Sequence, residues 1–176
     1  MSRPERFLHE MRDVCAAAGV AVVVVPELPY TGISGCARWL SDMKALVGLT
    51  LRYKTDDQFW FTFFHELGHI LLHSKKFDFV LDNAADNLTD QVVDPQMQKA
   101  EEEANRFAAD TLIPGEPFHR FIKANDFSNE AIHQFAEEQG IGPGIVVGRL
   151  QHEGLLSYHQ GNALKQRLSG QAPGKS

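Results

Sequence analysis

Cysteine is scarce in this chain. Cys15 and Cys36 are its only two, at a separation that fits neither a zinc knuckle nor a redox pair. They are read as reduced thiols packed in the core of a cytoplasmic protein. Basic charge is also short: 17 Lys and Arg stand against 23 Asp and Glu, a formal net charge of −6. A polyanion-binding face needs a basic surplus, so direct nucleic-acid binding is not expected and a protein or peptide partner is. Long apolar runs are missing near the N-terminus, where the longest, Val20 to Val25, falls far short of the roughly 20 residues of a membrane span. Ahead of it, Phe7, Leu8, Met11, Val14, Cys15 and Ala18 recur at helical spacing, unlike the compact apolar core of a signal peptide. Neither export nor membrane attachment is expected.

What remains is an ordinary globular composition, with 43% hydrophobic and 23% charged residues in 176. That is enough chain to bury one core, so residues 1–168 are expected to form a single domain. Its C-terminal part, about 115–160, reads as helical, and the small, polar residues 169–176 read as a disordered tail. Val20–Val25, Gly35–Leu40 and Ala45–Tyr53 read as strands of a small antiparallel sheet, the last two joined across Ser41-Asp42-Met43-Lys44. In the third, Val47, Leu49, Leu51 and Tyr53 alternate with Gly48, Thr50 and Arg52, and Gly48 marks a close backbone approach. Thr55 to Gln58 has the layout of a capping box opening a helix that runs to His73, and Phe77–Leu81 is a further short strand. Residues 82–98, polar and holding Pro95, read as a mobile loop. Helices follow over Gln98–Ile113, Glu116–Lys123 and Ser128–Gln139, with Ser128 as cap and Gly140 as stop, and Pro143 opens another.

The chemistry lies in His65-Glu66-Leu67-Gly68-His69. On a helix, two imidazoles four residues apart share a face and can bind one zinc ion, with the glutamate between them as general base. Thr62, His65, Glu66, His69 and His73 form one polar stripe, while Phe59, Trp60, Phe63, Phe64, Leu67, Ile70 and Leu71 occupy most of the remaining circumference. Such a helix is buried nearly all round. Its polar stripe then costs about 2 to 7 kcal/mol for each uncompensated group unless partners or a metal answer it.

A catalytic zinc ion usually takes three protein ligands. The extended metzincin pattern requires a glycine seven residues and a histidine ten residues after the first histidine, where this chain has Leu72 and Lys75. The third ligand is therefore sought downstream, in the acids Glu101 to Glu103. In the helix whose buried side carries Ala100, Ala104, Phe107, Ala108, Thr111 and Leu112, Glu101 borders the apolar side, Glu102 points away and Glu103 lies between. Glu101 is the expected ligand, and solvated positions are preferred for the other two. Asn105, one turn later, is placed to hydrogen-bond the ligating carboxylate. His73 is read equally as a support or rim group of the centre and as a partner of the helix carboxyl end.

At this point the chain resembles the ImmA/IrrE metallopeptidases. The resemblance rests on Phe59-Trp60-Phe61-Thr62 leading into His65 to His73, on Glu101 with Ala104-Asn105-Arg106-Phe107-Ala108, and on Leu112-Ile113-Pro114. Ile141–Leu155 also looks like the end of some members, so the likeness spans roughly Val20 to Leu155. It implies an α+β zincin-like fold, with a small antiparallel sheet packed on a central HEXXH helix, and a gluzincin-like zinc site of His65, His69 and Glu101 around the catalytic Glu66. Limited cleavage of a helix-turn-helix transcriptional repressor or an antitoxin of a mobile-element or stress system is the implied activity. Many members carry, or are encoded with, a helix-turn-helix module; none is visible ahead of this domain, so a stand-alone peptidase and an excised catalytic domain are both open.

In the expected mechanism, zinc lowers the pKa of a water, and Glu66 takes its proton and passes it to the leaving amine. Another divalent metal is an alternative occupant. An oxyanion donor is expected from among Tyr158, His152, Arg149 and His73. The main rival is a non-catalytic metal-binding regulatory module of a toxin–antitoxin or mobile-element system. A structural site needs no general base, so Glu66 favours catalysis. Ser128–Gln139 and Pro143–Glu153 have the outline of a helix-turn-helix, but four glutamates face one arginine there, and Ile145-Val146-Val147 offers base edges little. A packing pair is preferred. For an extended substrate, Phe77–Leu81 and Gly35–Leu40 are the candidate pairing edges, with loop 82–98 over the cleft.

Overall fold

The computed structural model describes residues 4–26, 32–50, 55–73, 79–82 and 94–168. Helix α1 (Pro4–Ala17) leads into β1 (Val20–Val25); β2 (Ile33–Ser41) and β3 (Lys44–Thr50) form a hairpin; α2 (Asp56–Leu72) and the short β4 (Phe79–Asp82) follow. Four helices then complete the chain: α3 (Pro95–Leu112), α4 (Gly115–Ala124), α5 (Asn129–Gln139) and α6 (Pro143–His152). The class is α+β, consistent with a zincin-like domain carrying a C-terminal helical segment.

The sheet order is β1-β3-β2-β4. Both pairings of β2 are antiparallel, as expected, whereas β1 adds a parallel pairing with β3. The geometry requires this: β3 returns from its hairpin with β2 into the slot beside β1, and β1 and β2 run in opposite directions. One expectation needs correction here. Gly35–Leu40 lies within β2, bonded to β3 along one side, and its Gly35–Ala37 part is also bonded to β4 on the other, so that part is not a pairing edge. Of the other candidate, residues 79–81 fall in β4, the terminal strand of the described sheet, and 77–78 lie outside the described residues.

Alternation in β3 buries Val47 and Leu49 against Ala37, Val22, Phe59, Phe63 and Ile70. Gly48 faces Cys36 across the ladder, and a Cβ there would lie 2.7 Å from the Cys36 sulfur, which is why the strand has glycine at that position. Leu51 and Tyr53, placed in this strand by their alternation, lie outside the described residues. A second cluster joins Ile113, Phe118, Ile132, Phe135, Val146, Val147 and Leu150, and Trp60 of α2 packs against both clusters. The face that a groove-reading α6 would present, Ile145-Val146-Val147, is buried in this cluster.

One helix starts earlier than expected, and another starts where expected but is capped differently. α3 begins at Pro95, not Gln98: Asp94 caps it by accepting from the Gln96 N–H at 2.9 Å, and proline at the first turn loses no helical hydrogen bond. Of the expected loop 82–98, residues 83–93 lie outside the described residues. At α2, Thr55 is the N-cap but makes no side-chain cap bond. Asp56 takes over instead, accepting from its neighbour Asp57 N–H and from Gln166 N–H, each at 3.0 Å, while its own N–H donates to Gln166 O. The chain's end is thereby tied to the start of the central helix. Gly142, Gly144 and Gly148 of the α6 region let that acidic turn approach; a Cβ on Gly148 would lie 2.7 Å from Asp57. The helix is less enclosed than its sequence suggests, since Leu71 and Leu72 are exposed at its far end.

Candidate metal centre

The site forms where α2 and α3 lie against each other. Gly68, inside the motif, permits the approach: a Cβ there would stand 3.2 Å from both the Ala104 Cα and the Phe107 ring. This brings one turn of α3 beneath the two imidazoles. His65 Nε2 lies 3.2 Å from Glu101 Oε2, His69 Nε2 lies 3.3 Å from Glu101 Oε1, and the two Nε2 atoms are 2.9 Å apart. The ligand atoms of all three residues fall within 4.8 Å of one another. His65, Glu66 and His69 are essentially fully buried, whereas Glu101 is about one third exposed and forms the solvent side of the centre.

Hydrogen bonding behind the rings decides what their inner atoms offer. His65 Nδ1 lies 2.9 Å from Asn105 Oδ1, and an amide oxygen can only accept, so Nδ1 carries the hydrogen and Nε2 presents a lone pair. Asn105 thus reaches the centre, but through His65 and not through the Glu101 carboxylate. On the other ring, His69 Nδ1 meets His73 Nδ1 at 3.1 Å, and His73 Nε2 meets Glu103 Oε2 at 3.2 Å. A carboxylate accepts, so His73 Nε2 carries a hydrogen, and where that is the ring's one hydrogen its Nδ1 accepts from His69. His69 Nε2 is then bare as well. Two imidazole lone pairs and two carboxylate oxygens converge with no hydrogen between them, an arrangement that calls for a cation. Two nitrogens and a carboxylate suit a divalent metal.

Charge follows the same geometry. Burial pushes Glu101 upward, while hydrogen bonds and positive charge from His65 and His69, when their inner nitrogens carry a proton, hold it down to about 2; with those nitrogens bare, a bound cation would supply the attraction instead. Burial depresses His69, against the opposing pull of Glu101. Glu66 is pushed up to about 9, first by burial and then by the negative charge of Glu101. Neither of its carboxyl oxygens has a hydrogen-bond partner among the described residues. A dication beside it would offset the Glu101 charge and favour the ionised form.

The remaining candidates lie at varying distances from this centre. His73 faces the outer nitrogen of His69. His152 reaches towards it through Phe61, whose ring lies 6.2 Å from that of His65 and 6.0 Å from that of His152. Arg149 donates through Nε to Glu153 at 2.8 Å and stacks over Phe118. With His152 and Phe61 it lines a cavity of about 120 Å³ walled by Leu112, Ile113 and Ile145. Tyr158 is exposed in the turn after α6, with its backbone oxygen accepting from Asn162. Three contributors carry little signal of their own in the sequence: Glu103, expected at a solvated position, meets His73; Gly68 lies inside the motif; and Gly35 is a strand glycine, the one sign of its close approach to Glu66.

Among the described residues no helix is long and apolar enough to cross a membrane. No curated protein matches the chain. The family model described as the IrrE N-terminal-like domain, a peptidase family, matches residues 49–151, more than half of the sequence and all of the α2–α3 centre. With the metal-compatible triad falling inside that match, the chain belongs to the IrrE N-terminal-like peptidase family.

Proposed function

We propose that this protein is a zinc-dependent endopeptidase that makes limited cuts in a partner protein, a helix-turn-helix repressor or an antitoxin. The observation that carries the catalytic part is Glu66: a fully buried carboxyl group with no hydrogen-bond partner for either oxygen among the described residues, next in sequence to a candidate metal ligand. A group kept only for packing would cost stability there without return, whereas a general base needs free oxygens. His65, His69 and Glu101 would hold the metal. When bound, zinc supplies Lewis-acid polarisation of the scissile carbonyl and makes a nearby water more acidic. Glu66 accepts the proton of that water and delivers it to the departing amine. The outer edge of β4 is the strand on which an extended substrate would lie, and the chain's acidic balance supports a protein partner over a nucleic acid.

The test is Glu66→Gln, examined for metal content and for cleavage of helix-turn-helix proteins encoded beside the gene. Retained metal and fold with loss of cleavage is the expected result. A variant that keeps full regulatory effect would assign the protein to the rival class, a metal-holding binding module.

A further inference from the structure

We infer that His73 and Glu103 are a positioning pair that fixes the ring of His69 for the metal, acting from the side of the imidazole that faces away from the ion. The inference rests on the metal centre proposed above. His73 is the C-cap of α2, where the backbone leaves helical geometry (φ −115°, ψ 164°) while its N–H still donates to His69 O at 3.2 Å. That break folds the imidazole back over the preceding turn, with ring centroids 5.2 Å apart. The His73 side chain is only 9% exposed, so its ring is confined. Glu103, which Lys99 Nζ approaches at 3.7 Å, closes the chain from α3.

This makes α3 the organiser of the whole centre. Glu101 supplies the third ligand, Asn105 orients His65 directly, and Glu103 orients His69 through His73. Loss of the Glu103 acceptor removes the contact that holds the His73 hydrogen on Nε2 and permits it on Nδ1. That placement confronts the His69 Nδ1–H and favours the His69 tautomer that cannot bind metal.

The experiment is a double-mutant cycle on zinc affinity, measured by chelator competition. Cobalt(II) absorption spectra of the same proteins give a second readout. Glu103→Ala and His73→Ala are each expected to weaken zinc binding about 10- to 100-fold, the range for removing an outer partner of a ligating histidine. The double variant should bind no worse than His73→Ala alone, because Glu103 acts only through His73. Glu103→Gln keeps an acceptor oxygen and should stay within a few-fold of the parent, with an unchanged cobalt spectrum. Glu102→Ala is the control, since Glu102 is exposed and bonds only Gln98 among the contacts described. Additive losses, or unchanged affinity in both single alanine variants, would overturn the pair. If His73→Ala fails to fold, the contrast between Glu103→Ala and Glu103→Gln decides alone. Failure of the parent protein to bind zinc would sink the metal-centre reading itself, a distinguishable outcome.

Discussion

Gly35 of β2 lies directly against Glu66 of α2: a Cβ at position 35 would stand 2.6 Å from the Glu66 Oε1 and 2.6 Å from the Thr62 methyl. The sheet therefore shapes the space around the proposed base, and the missing side chain in the strand is what gives the carboxyl group room. Gly35→Ala should push β2 and α2 apart and cost about 1–3 kcal/mol, as overpacking in a close contact does. Urea unfolding measures the cost, and metal content should stay near that of the parent because Gly35 touches none of the three ligands. An alanine variant as stable as the parent would show that the contact is slack.

Replacing His65, His69 or Glu101 with alanine should each strip most of the bound metal, whereas Glu102→Ala should leave it in place. Elemental analysis of the purified proteins is the measurement. A fully loaded Glu101→Ala protein would remove α3 from the ligand set.

At the other end of α2, Lys165 Nζ pairs with Asp57 at 2.6 Å, with both side chains largely buried (11% and 4% exposed). Lys165→Met leaves Asp57 as an uncompensated buried charge and should destabilise the fold by about 3–5 kcal/mol. Adding Asp57→Asn should recover much of that loss. Chemical denaturation of both proteins checks the sequence of effects, and a single variant within 0.5 kcal/mol of the parent, about the spread of neutral surface changes, would contradict it.

Asp56 gives a pH prediction. Burial is the largest influence and raises its pKa above the ordinary 3.8, with the neighbouring Asp57 adding to the rise and the Gln166 N–H opposing it. The native state then holds this proton at pH values where the unfolded chain has released it. Stability from this group is complete below 3.8 and falls as pH rises through the raised native value. Asp56→Asn keeps an oxygen that can accept from Gln166, so it should flatten the pH dependence across that window and gain relative to the parent above it. Thermal unfolding at a series of pH values provides the comparison; equal slopes would refute the assignment.

The helices and the heart of the site were legible in the chain because their information is local. His65, Glu66 and His69 share one helical face by spacing alone, Ser128 and Gly140 mark α5 through capping chemistry, and alternation places Val47 and Leu49 inside. Glu101 was also reachable, since helical phase put it beside the buried face of α3. Helical phase does not place Glu103, whose contact depends on where α2 ends and how His73 folds back, a matter of two helices meeting.

By itself, then, the sequence determined α2, its imidazole pair and the buried faces of the helices, all set by periods of a few residues. Tertiary structure alone decided that Asn105 holds a histidine and not the carboxylate, and that β1 joins the sheet in parallel. It also placed Gly35 beneath Glu66 and seated Gln166 on Asp56 from 110 residues away. Each of these is a contact between elements distant in sequence. Its geometry follows from how whole faces pack, and no local period carries that information.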